Sequence, residues 1–170
     1  MPFQSTVNIN LSFGIPGELL EVGPQRAESL IVNSSGANPN IVGYAFTKDN
    51  STNIAKVGGT IAAGRVFAGI LVNPKVYASN GGSTGTLAPT LNVLDNAQAE
   101  FLTMGTIVVQ LGSAANIGDL VIYNTTTGAL QAIAPSEDPE PPTGFALVPN
   151  AVVHRYPTSA AGLTAIRLTN

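Results

Sequence analysis

The chain has no cysteine, no tryptophan and one histidine, and only 10% of its 170 residues are charged. The lack of cysteine excludes a disulfide framework and any thiolate metal site. With His154 as the sole imidazole, a metal would have to be held by carboxylates and carbonyls, as calcium is. No Asp-x-Asp-x-Asp-Gly order is present, and the densest acidic group, Glu137, Asp138 and Glu140, is broken up by Pro139, Pro141 and Pro142. No metal and no cofactor is therefore expected.

Nucleophilic catalysis is equally poorly served. His154 lies in AVVHRYP, far from any sharp turn that would present a serine or threonine to it, and reads as a strand residue. Sugar hydrolysis or sugar binding would want stacking aromatics, but beyond the missing tryptophan there are only Tyr44, Tyr77, Tyr123 and Tyr156. The stretch GTIAAGRV (59–66) has the glycine spacing of a phosphate-binding loop. It carries Arg65 for the lysine and Val66 for the hydroxyl, and a β-rich run follows where a helix should begin. Seven bases against ten acids give a formal charge of −3 and no basic footprint for nucleic acid. No apolar run nears the roughly eighteen residues of a membrane-spanning helix. The opening MPFQSTVNIN has neither the basic nor the apolar part of a secretory signal. Catalytic residues, nucleic acid and membrane are thus not expected.

What fills the space left by charge is asparagine, threonine, serine, glycine and alanine. A surface of this kind repels neighbours weakly and tolerates dense packing against other proteins. The length fits a single domain, 1–170, with a substantial core. Val7, Ile9, Leu11 and Phe13 alternate with polar residues, marking a strand or extended arm at 2–13. Short strands follow within GIPGELLEVGP and at 29–33, 41–47, 65–72, 86–94, 106–111, 119–123, 129–133, 145–148, 151–155 and 163–168, divided by turn clusters. This spacing predicts an all-β barrel or sandwich, jelly-roll-like, with at most one short helix. The candidate helix is DNAQAEFLTM (95–104), capped by Asp95 or Asn96; the same stretch can instead begin a strand near Glu100. In GDLVIYNTTTGALQAI two strands flank a turn closed by Gly128. The loop 134–144 holds four prolines and three acids, which keeps it out of a sheet and exposed.

RVFAGILVNPKVYA (65–78) reads as a strand buried on both faces that leaves the core at Asn73-Pro74, where proline ends the ladder. Charge and position select Arg26, Arg65, Lys75 and Arg155 as interface candidates, with Asn73 and Pro74 shaping the exit from the strand.

The order of segments resembles the capsid cement (decoration) proteins of tailed bacteriophages. The matching pieces are FGIPGELLEVGPQRA, IVGYAFT, RVFAGILVNPKVYA, GTLAPTLNV, EFLTMGTIVVQL, ANIGDLVIYNTTTGAL, GFALVPNAVVHRY and GLTAIRL, in one order over nearly the whole chain. FAGILVNPKVYA together with LTMG is the most specific combination. The resemblance implies a β-barrel or jelly-roll-like, non-enzymatic protein bound in many copies to the outside of an expanded icosahedral capsid. Its partners would be the major capsid protein and further copies of itself. A glycan-binding or tail-associated β-sandwich module is the alternative.

Overall fold

The structure, a computed structural model, describes residues 13–21, 23–36, 39–62, 64–73 and 92–169. Residues 2–12 of the expected arm at 2–13, most of the 86–94 candidate, Pro74 and Lys75 lie outside the described residues. No helix forms among those described. The strands are β1 (Arg26–Val32), β2 (Asn40–Ile41), β3 (Ala45–Asp49), β4 (Ile54–Val57), β5 (Arg65–Leu71), β6 (Asn92–Val93), β7 (Gln98–Leu111), β8 (Leu120–Asn124), β9 (Leu130–Ile133), β10 (Phe145–Arg155) and β11 (Gly162–Leu168).

Strand β7 organises the molecule. Along its first half it pairs with β1 on one edge and β5 on the other, and β1–β4–β3–β5 completes a five-strand circuit. Along its second half it pairs with β11 from Gly105 to Leu111. Strands β10, β8 and β9 continue from there, and β9 returns to β7 through Leu111 and Leu130. Two closed barrels thus share one strand, and closure removes the free edges that would invite uncontrolled pairing. Strands β2 and β6 form a separate two-stranded ribbon.

Each barrel has its own core. Leu30, Val32, Phe46, Ala55, Val57, Leu71, Ala99 and Phe101 fill the first, with the Phe46 and Phe101 rings 5.1 Å apart. Ile107, Val109, Leu111, Val121, Tyr123, Leu130, Val153, Ile166 and Leu168 fill the second, joined by Ile70 and Leu102 from the first barrel's outer face. Opposite β7, Arg26 pairs with Met104 and Ala27 with Leu102, so Thr103 is an extra, bulged residue. Beyond it the alternation is inverted, and odd-numbered residues that faced the first core now face the second.

Several strand boundaries differ from the sequence expectation. DNAQAEFLTM takes the extended alternative: a turn at Asp95 and Asn96, then β7 from Gln98, because Ala99 and Phe101 are buried with a two-residue repeat. Strand β4 was hidden behind the KDNST turn, its IAKV burying only Ala55 and Val57. The two candidates at 145–148 and 151–155 are one strand, β10, running through an irregularity between Leu147 and Val152 that accommodates Pro149. GIPGELLEVGP makes no regular strand. It runs along β7 through Gly17 N–H to Val108 O (2.7 Å), Val108 N–H to Glu18 O (2.8 Å) and Leu20 N–H to Thr106 O (3.1 Å).

The β8–β9 hairpin fastens the second barrel to the first. The Asn124 carboxamide accepts from the Thr126 and Thr127 amides, fixing the turn. The Ala45 amide donates to Gly128 O at 3.0 Å, and the Gly59 amide to Thr125 O at 2.6 Å. The Tyr123 hydroxyl donates to Gly59 O at 2.9 Å; burial pushes its pKa up to about 12, so it remains a donor. Gly128 has φ +74°, and a Cβ there would lie 2.6 Å from Ala45 O. Gly128→Ala is expected to cost about 2–4 kcal/mol, joining left-handed strain to a backbone clash. Gly144→Ala, at φ +84° with nothing within 4 Å, should cost only about 1 kcal/mol. Urea denaturation of both variants measures the difference.

A polar cluster closes one end of the first barrel. Asp95 accepts from the Asn40 carboxamide (2.8 Å), the Ser34 amide (2.9 Å) and the Gly36 amide (2.9 Å). The Ser34 hydroxyl donates to Asn40 Oδ1 at 2.5 Å and accepts from the Val57 amide at 3.0 Å. The Asn40 bond first, then those from Ser34 and Gly36, hold the Asp95 carboxyl below its ordinary 3.8 despite partial desolvation. A depressed carboxylate pKa stabilises the fold in full above the unfolded-state value, and the contribution is lost as pH falls through the folded-state value. Asp95→Asn should therefore cost about 1 kcal/mol at pH 7. The gap to the parent protein should close below pH 3.8, as followed by thermal melts across pH.

Candidate functional site

The interface candidates fall in different parts of the fold. Arg65 opens β5, where its Nη1 donates to the Thr47 hydroxyl at 3.1 Å beside Asp49, its cross-strand partner. The Asp49 carboxyl is held below its usual range by the Ser51 hydroxyl, then the Ser51 and Thr52 amides, with Arg65 adding a smaller share. Arg65 is thus engaged within its own barrel. Asn73 follows the other end of β5, roughly 25 Å away along an extended chain. Its amide donates to Gly17 O at 2.8 Å, and its Oδ1 is buried with no partner among the described residues. Its structural part is to tie the end of β5 to the 13–21 segment.

Arg26 and Arg155 are brought to one place. An open groove of about 310 Å³ lies at the waist between the barrels, walled by Glu21 and residues 23–25, floored by 104–106 at the β7 bulge, and bounded by 167–169. Arg26 continues the first wall and opposes Met104. Arg155, exposed at the end of β10, makes an ion pair with Glu21. Glu21 also accepts from the Thr106 hydroxyl at 3.4 Å, which fixes the acid against the floor. Arg167 stands on the opposite wall, across from Thr106 in the β7–β11 register. Of the four arginines in the chain only Arg65 is elsewhere.

Arg167 was not among the residues selected from sequence. Its signal was the alternation in GLTAIRL, where Ala165 and Arg167 share a parity but Arg167 is exposed.

The chemistry available in the groove is recognition. Its lining holds one carboxylate, Glu21, and no aromatic ring or imidazole. Among the described residues no cluster of His, Asp or Glu could hold a metal ion. Its other hydrogen-bonding groups are the Arg167 guanidinium fork, the Gln25 carboxamide, the Thr106 and Thr169 hydroxyls and backbone, suited to anionic or polar protein surface. Elsewhere on the surface, Phe13 and Tyr156 stack with centroids 3.9 Å apart and remain partly exposed. On the outer wall of the first barrel, Ile31 and Ile54 are exposed side by side across β1 and β4.

The family model for the phage structural cement protein (E217 gp24/Pam3 gp6) matches residues 3–169. No curated protein matches the sequence. A chain from the solved capsid of Myoviridae phage XM1 is similar in fold, with a TM-score of 0.66 over 100% of this chain and 99% of that one, at 19% identity. That likeness speaks to the fold, and the family match, spanning nearly every residue, speaks to the role. The chain belongs to the phage structural cement protein family and is a structural component of the virion capsid.

Proposed function

We propose that this protein binds the outer surface of the expanded capsid and clamps neighbouring major capsid proteins, without bond chemistry. The observation that carries this reading is the family match over residues 3–169. Two physical features support it. The described residues form a pair of closed barrels tied by backbone bonds, so little ordering of these residues is left to be done on docking. The one groove described at the waist offers guanidinium and hydroxyl groups and lacks the paired titratable groups of a catalytic site.

A clamp of this kind works by linkage. Whatever binds the mature shell and not its alternatives stabilises it, by about 2.7 kcal/mol per site at a hundredfold excess over the dissociation constant. Repetition over a symmetric surface multiplies modest contacts through effective concentration. A glycan-binding role would want a stacking platform, and the groove lining has none.

Co-sedimentation with capsids of the source phage, before and after expansion, tests the proposal. Saturable binding to expanded shells, with a higher shell melting temperature and little binding to unexpanded ones, is the expected result. Failure to bind either shell would overturn it.

A further inference from the structure

We propose that the acidic loop 136–142 of one copy seats in the arginine-flanked waist groove of a second copy. The inference concerns contacts between copies and stands independently of how the protein grips the shell.

The loop joins β9 to β10 and carries Glu137, Asp138 and Glu140, all exposed and without an ion pair among the described residues. These are three of the ten acids in the chain, concentrated in four positions. Pro135, Pro139, Pro141 and Pro142 fix their own φ angles and bias their predecessors to extended geometry. Such a segment loses little entropy when it is captured.

The groove is the complementary feature. Arg167 lines it, Arg26 follows Gln25 of its wall and opposes Met104 of its floor, and its only lining acid, Glu21, is already taken by Arg155 and Thr106. Arg26 and Arg167 are exposed and unpaired among the described residues. A volume of about 310 Å³ takes the ends of a few side chains rather than a folded partner. Guanidinium forks bind carboxylates bidentately, and an extended acidic segment offers several in a row.

The same copy does not satisfy its own groove. Among the described residues the loop acids make no ion pair with any of the three arginines. In a chain with so few charges, an acidic segment and an arginine grouping of opposite sign, Arg26 with Arg167, are both unpaired among the described residues of one molecule and available to meet between molecules.

Sedimentation velocity over a concentration series tests this in three variants beside the parent protein. One carries Glu137→Lys, Asp138→Lys and Glu140→Lys, one carries Arg26→Glu and Arg167→Glu, and one carries all five changes. The parent should self-associate in about 0.05 M salt, with a dissociation constant raised at least about tenfold in 0.5 M salt. Each partial reversal should weaken association at least about tenfold, and the full exchange of charge should restore it. Near-ultraviolet circular dichroism confirms that all three keep the parent fold, since every altered side chain is exposed. A parent that stays monomeric, a partial reversal that changes nothing, or a full exchange that restores nothing would each overturn the proposal. Loss of capsid binding in the loop variant with self-association intact would overturn it too, by assigning the loop to the shell.

Discussion

Strand β7 lies between two cores on its opposite faces, and an unbroken two-residue repeat cannot serve both with the sequence it has. Its core residues Ala99, Phe101, Ile107, Val109 and Leu111 are all odd-numbered, yet the first two enter one barrel and the last three the other. The extra residue Thr103 resolves the conflict by inverting the phase, and its hydroxyl donates to Arg26 O at 3.1 Å across the bulge. Leu102, even-numbered and before the bulge, already faces the second core. Remove the bulge and the polar side chains of Thr106 and Gln110 would turn inward together with Val108. Both circuits close on this strand, so the phase slip governs the packing of every other element.

The bulge also creates the groove. A strand that changes face must pull away from its neighbours locally, and the floor at 104–106 is where β7 leaves β1 and takes up β11. The 13–21 segment covers what the strand leaves open, bonding to Thr106 and Val108, and Glu21 then anchors both Thr106 and Arg155. The concentration of arginines at the waist is thus a consequence of the same irregularity. The start of β1 and the outward face of β11 arrive where the barrels meet, and Arg155 reaches Glu21 there from the end of β10.

Strand alternation made the all-β class legible, and the NTTTG turn with its glycine at φ +74° followed from turn chemistry alone. The exposed Pro/acid loop was equally plain, because four prolines cannot join a ladder. What escaped was non-local. DNAQAEF is rich in helix formers, and only its burial against the first core decides for a strand. Four residues of IAKV carry too short a repeat to stand out from a turn cluster. Closure into two barrels depends on which strands pair, which periodicity does not encode. Arg26 and Arg155 could be selected by charge and position, but their approach to one groove, with Arg167 on its wall, depends on the bulge.

A neutral surface and a stiff body suit a protein whose work is contact. Dense packing against a repeating shell favours broad, weakly charged faces, since each buried unpaired charge costs several kcal/mol in desolvation. Charge kept to a few places costs little there and sets orientation, because ion pairs contribute more to register and partner choice than to net affinity. On the proposed reading the two tasks separate. The sparsely charged barrel walls, including the exposed Ile31 and Ile54 pair, are free for apolar packing, while the loop acids and the waist arginines set how copies align. Because the waist is built on the bulged centre of β7, any alignment set there bears on both barrels through the strand they share.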